Sequence, residues 1–132
     1  MTNDLSALDS AFRQAKAFLA ELDRRSAGAN ASLAALRERL GKPLMDEGLD
    51  ASQVIDELVA DAGPGLSGSA GGRFFGWVIG GSVPAALAAD WLVSAWDQNA
   101  ANCACGPAVA IIEEIAGTWL RDLLGLPTGA AF

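Results

Sequence analysis

The side chains that could do chemistry in this chain are few and badly placed for it. It has no His and no Tyr, so a general acid, base or nucleophile would have to come from Cys, Lys, Ser or a carboxyl group. Cys103 and Cys105 are the only cysteines. Their Cys-Ala-Cys spacing is too tight for an unstrained disulfide across regular backbone, and a zinc site would need two further ligands that no His can supply. They read as small apolar fillers in a reducing compartment, and no metal site is expected. Lys16 falls on the charged side of a helical pattern and Lys42 in a turn, so neither is a buried amine of lowered pKa. Glu113 and Glu114 are adjacent and so point apart on a helix; Asp46 and Glu47 lie in a loop. Gly80-Gly81-Ser82 ahead of Pro84 could present backbone N–H groups to a phosphate at a helix start. Lacking a following Lys-Ser/Thr, it is no Walker A loop, and it lacks dinucleotide-fingerprint spacing. A turn followed by a Ser82 cap explains it as well.

The elements that carry these residues are helices. Leu5, Leu8, Phe12, Ala15, Leu19 and Leu22 alternate at steps of three and four and draw an apolar stripe over three heptads. That stripe could pack on the chain's own core or on a partner helix. Leu33, Leu36 and Leu40 mark a second helix, stopped at Gly41-Lys42-Pro43, where Gly suits a left-handed cap. Asp50, three residues before Gln53, predicts a capping box for a third helix with Val54, Ile55, Leu58 and Val59 on its apolar face. Pro84 opens a fourth around Leu87, Trp91, Leu92, Ala95 and Trp96, and Pro107 a fifth around Ile111, Ile112, Ile115, Trp119, Leu120 and Leu123. Only Phe74 to Ile79 could be extended, and the glycines around it favour an ordered loop lining a cleft.

Composition limits the function classes. The 132 residues are 52% hydrophobic, enough for one domain with a core, and the net charge is −7, which disfavours nucleic acid and anionic lipid. The start MTNDLSALDS lacks the basic and apolar regions of a secretory signal, so a cytoplasmic location is expected. The uncharged run from Phe74 to Ala89 is interrupted by Gly76, Gly80, Gly81 and Pro84 and is short of the ~20 residues of a bilayer span, so no membrane association is expected. Residues 1–62 hold seven basic and eleven acidic side chains against two and five in residues 73–132. The second part is therefore expected to be the more buried, with the Gly/Pro/Ser-rich stretch 63–73 as the linker.

Two strings carry a resemblance. GGRFFGWVIGGSVPAALAADWLVSAWDQNA, residues 71–100, and GPAVAIIEEIAGTWLRDLLGLP, residues 106–127, resemble the start of the large domain in the group II pyridoxal-phosphate-dependent decarboxylases, which act on aromatic amino acids, glutamate, tyrosine or histidine. The order of features carries it: Phe74-Phe75, a Gly-Ser turn, a Pro-opened helix with Asp90, then Gly106-Pro107 opening a helix with Glu113-Glu114, Trp119 and Leu123-Leu124-Gly125-Leu126-Pro127. A looser likeness reaches back to about residue 43. Gly71-Gly72-Arg73 stands where many members have His-Pro or Gly-Pro, and Ile79-Gly80-Gly81 where many have a Thr-Gly turn, so no particular amino-acid substrate is implied.

The resemblance implies a mainly α chain. Residues 1–62 would be an N-terminal helical segment that clasps a dimer, and residues 74–132 the incomplete start of the large domain of an α/β, fold-type I transferase-like enzyme. It implies no catalytic residue here: the Schiff-base lysine, the aspartate on the pyridine nitrogen and the stacked histidine would lie beyond residue 132. Pyridoxal phosphate would then belong to the complete enzyme and not be held stably by this chain alone. The expected pocket residues are Trp77, Ile79, Gly80, Gly81 and Ser82, with Trp77 either pocket wall or core. The expected subunit interface combines Leu5, Leu8, Phe12, Leu19 and Leu22 with Asp97, Gln98 and Asn99. The expected partners are the rest of the decarboxylase chain, a second subunit and an amino-acid substrate. The competing reading is a stand-alone helical dimerisation module.

Overall fold

The computed structural model describes residues 4–99 and 101–130; Ala100 and the last two residues of the apolar tail lie outside the described residues. The chain is mainly helical, with 55% helix and no strand among the described residues. Among the described residues five α-helices run in order: α1 (Ser6–Glu21), α2 (Leu33–Leu40), α3 (Ala51–Ala62), α4 (Pro84–Trp96) and α5 (Pro107–Leu123). No helix among the described residues is long and apolar enough to cross a membrane.

Local signals account for most helix ends. The Asp4 carboxylate accepts from the Ser6 N–H at 2.9 Å, satisfying a free donor at the start of α1. Ser32 caps α2 by accepting from the Ala35 N–H at 3.2 Å. Asp50 caps α3 by accepting from the Ser52 N–H at 3.0 Å. The expected capping box is only half made, because Gln53 turns forward and donates to Glu57 at 2.8 Å. Gly41 closes α2 with φ −78° and not in a left-handed cap; a Cβ there would run into the Arg37 carbonyl oxygen.

The chain forms two compact units, Met1–Ser82 and Val83–Phe132. In the first, α1 and α2 both pack on α3, and the 3-10 turn Gly63–Gly65 that ends α3 brings Gly65 against the Leu36 side chain of α2, which a Cβ at position 65 would displace. The stretch 63–73, expected as a linker, is built into this unit. The Pro64 carbonyl accepts from Asn30 N–H at 2.9 Å and Ala31 N–H at 3.0 Å, and Gly68 N–H donates to the Ala27 carbonyl at 3.2 Å. Arg73 adds a 2.6 Å bond to the Arg25 carbonyl. Glycine and proline serve here as close-packed turns, because their backbone groups find partners in the loop after α1.

Two polar clusters tie the helices of the first unit. Ser10 on α1 is 2% exposed and donates a short hydrogen bond to Asp56 on α3; Gln14 donates to the same carboxylate at 3.2 Å and Arg13 pairs with it at 3.4 Å. Lys42, just past α2, reaches Glu57 at 2.8 Å and Asp61 at 2.7 Å. Ser10, Arg13 and Gln14 of α1 thus meet α3 at a single carboxylate, that of Asp56.

In the second unit α4 follows Val83 with Pro84 in its first turn and ends at Asp97, whose φ of 47° is left-handed. α5 also opens on proline and closes before Gly125, φ 62°, the left-handed glycine expected after a helix end. The expectation that this part is the more buried is overturned. Trp91, Trp96, Ile112, Trp119 and Leu123 are all exposed, and among the described residues no large hydrophobic side chain of either unit is buried.

Candidate functional site

The segment expected to line a pocket, Phe74 to Ser82, is an irregular loop of the first unit. It turns at Gly76, whose carbonyl accepts from the Ile79 N–H at 3.4 Å. The two central residues are left-handed, Trp77 with φ 54° and Val78 with φ 55°. Positive φ at both centres is the pattern of a type I′ turn, and for a β-branched valine it is strained. The loop leaves the turn through Gly80, φ 109°, and Gly81, φ 83°. Gly80 lies on the Ser69 backbone so closely that a Cβ would overlap the Ser69 carbonyl oxygen, whereas Gly81 has open space around it.

Trp77 is 84% exposed, which removes the core reading for it; its ring is tilted 59° to that of Phe74 with centroids 6.3 Å apart. Ile79 is exposed as well. Ser82 does not cap α4: Val83 holds the cap position and no side chain there accepts a hydrogen bond. The cap expectation fails because Val83, between Ser82 and Pro84, is itself the last extended residue, which moves Ser82 one place out of reach.

The expected interface residues fall in two places. Leu5, Leu8, Phe12 and Leu19 stand exposed along α1, and Leu22 is partly covered. Asp97, Gln98 and Asn99 form the turn after α4. Asp97 N–H donates to the Val93 carbonyl at 3.2 Å, Gln98 donates to the Trp96 carbonyl at 2.7 Å, and Asn99 accepts from Ala101 N–H at 2.8 Å. The two amide side chains are thus engaged in shaping their own loop.

The first unit also holds an open cleft of about 750 Å³ that sequence reasoning did not find. Arg24, Arg25, Ser26 and Asn30 line it, with Val59, Pro64 and Leu66 as its apolar part; no residue of the 77–82 loop does. Arg25 is held there by the Phe18 ring 4.6 Å away, by Glu21 at 3.6 Å and by the Gly63 carbonyl at 3.2 Å. No periodicity marks such a cleft, since its walls come from the end of α1 and the loop after it, from α3 and from the turn that follows α3.

Charges are tuned by pairing at the surface. The hydroxyl of Ser10, then the Gln14 amide and the Arg13 guanidinium, hold Asp56 below the usual carboxylate range. Lys42 and then Gln53 lower Glu57, and Asp61 and Glu57 raise Lys42. The residues present do not fit pyridoxal phosphate. A Schiff base needs a free amine, but Lys42 is held protonated between two carboxylates, and exposed Lys16 lies 5.1 Å over the Phe12 ring with no pocket around it. Cys103 and Cys105 are both exposed and unpaired with each other, and no group of three metal-ligating side chains occurs among the described residues.

Comparison of the chain with protein-family models, with curated proteins and with solved structures finds no match.

Proposed function

We propose that this chain is the amino-terminal piece of a pyridoxal-phosphate-dependent amino-acid decarboxylase, cytoplasmic and working with the remainder of that enzyme and a second subunit. In this reading the cofactor site and its lysine belong to the remainder, an α/β domain of fold type I. Residues 77–82 wall the amino-acid pocket once that remainder is present, and Asp97 to Asn99 touch the second subunit. One observation carries the reading: Trp96, Ile112, Trp119 and Leu123 are exposed on α4 and α5, the two helices whose sequences carry the family likeness. Exposed apolar faces of this extent mark surfaces meant for covering.

The test is to express the chain together with the sequence that follows it in its reading frame. Pyridoxal phosphate retained through gel filtration and carbon dioxide released from an α-amino acid are the expected results. A continuation that has no lysine-bearing domain, or that binds no cofactor, overturns the reading. A second reading, a helical self-association module without enzymatic activity, is favoured by the exposure of Leu5, Leu8 and Leu19 on α1.

A further inference from the structure

The cleft at the end of α1 gathers positive charge that the fold does not use. The chain turns after Glu21, whose carbonyl accepts from the N–H groups of both Arg24 and Arg25, at 2.8 and 2.9 Å, and two consecutive arginines thereby line the same cleft. Their side chains are unequal. Arg25 is fixed by Phe18, Glu21 and the Gly63 carbonyl. The Arg24 guanidinium is exposed and makes no hydrogen bond or ion pair among the described residues. The Ser26 hydroxyl and the Asn30 amide side chain, also in the lining, likewise have no hydrogen-bond partner among the described residues. Against the two guanidinium groups stands one carboxylate, that of Glu21, so the lining is net positive in a chain of net charge −7. The rest of the wall is apolar and firmly placed: Val59 and Leu66 are part-exposed, and the Pro64 carbonyl is tied to the N–H groups of Asn30 and Ala31.

We infer that this cleft binds a small organic carboxylate with an apolar body. The planar fork of Arg24 matches a carboxylate and takes it with two parallel hydrogen bonds. Ser26 and Asn30 supply further donors, Arg25 is the fixed second positive charge, and the body of the ligand lies on Val59, Pro64 and Leu66. An amine would meet two arginines. An inorganic oxyanion would leave the apolar wall unused, and a doubly charged one would exceed the net charge of the lining. The cleft, about 750 Å³, has the size of a small-molecule site, about 300–1,000 Å³. The inference draws on the first unit alone, needs no cofactor and does not rest on the decarboxylase assignment, so the two can fail separately.

Titration of the whole chain with phenylacetate, acetate, inorganic phosphate and phenethylamine, followed by amide NMR shifts, tests it. Phenylacetate is expected to shift the amides of Arg24, Arg25, Ser26, Asn30 and Leu66 and to saturate with a Kd of about 1 mM. Acetate and phosphate should bind about tenfold or more weakly, and phenethylamine not at all. Arg24→Gln, at a side chain that bonds nothing in the fold, should leave the urea midpoint in place and weaken phenylacetate about tenfold. Arg37→Gln removes an equal charge from an exposed position on α2 outside the lining and should leave binding unchanged. No saturating shift by about 50 mM phenylacetate overturns the inference. So does acetate, phosphate or phenethylamine binding as tightly as phenylacetate, an Arg24→Gln chain that binds like the parent, or an Arg37→Gln loss equal to that of Arg24→Gln.

Discussion

Gly80 and Ser69 meet backbone to backbone: the position a Cβ would take on Gly80 is already filled by the Ser69 carbonyl. That contact fixes the exit of the 74–82 loop against the first unit. Gly80→Ala is expected to destabilise this unit by about 1–3 kcal/mol, from the positive φ and the overlap together. Gly81→Ala, strained in φ alone, should lose about 1 kcal/mol. Urea unfolding compares them; equal losses would show that the Ser69 contact does not constrain the loop. For the same reason a valine at position 80 disturbs the fold and does not isolate a role in substrate binding.

Val78 should be replaceable with profit. A left-handed, fully exposed β-branched residue is the wrong side chain for its backbone, so Val78→Asn is expected to raise stability by about 1 kcal/mol. A lower thermal midpoint in the variant would mean that the valine side chain is held by something it touches elsewhere.

The two serines that precede helices should behave differently. Ser32→Ala removes an observed cap and should cost about 1 kcal/mol, whereas Ser82→Ala removes none and should stay within about 0.5 kcal/mol of the parent. A substantial loss at Ser82 would restore the cap that the sequence suggested.

Acid should loosen the packing of α1 on α3. Asp56 has its pKa lowered in the folded chain, so its contribution is present above the ordinary carboxylate value and is lost as pH falls below about 4 through the lowered value. Asp56→Asn should flatten this acid limb of the stability curve, followed by circular dichroism against pH. An unchanged limb would place the acid sensitivity in other carboxylates.

Pyridoxal phosphate added to this chain alone should leave no absorbing, borohydride-reducible adduct after desalting, since Lys42 is held protonated by Glu57 and Asp61. A reduced adduct mapped to Lys16 or Lys42, together with turnover, would reverse the assignment of the chemistry to the remainder of the enzyme.

The sequence by itself determined the five helices and several of their stops, because those depend on neighbours within a turn or two. Examples are the three-four spacing from Leu5 to Leu22, Asp50 ahead of α3, Pro84 and Pro107 in first turns, and Gly125 after α5. Tertiary structure alone decided which flank of α1 is covered. The apolar stripe leaves open whether it packs on the chain's own core or on a partner helix, and the Ser10–Asp56 hydrogen bond, across 46 residues, fixes Ser10 on α3, since a buried hydroxyl must find an acceptor and only the fold brings Asp56 to it. It also decided that residues 63–73 belong to the first unit, that Gly80 sits on Ser69, and that α1, α3 and the loops beside them make a cleft around Arg25. Each depends on contacts between distant segments, to which helical periodicity and capping rules are blind.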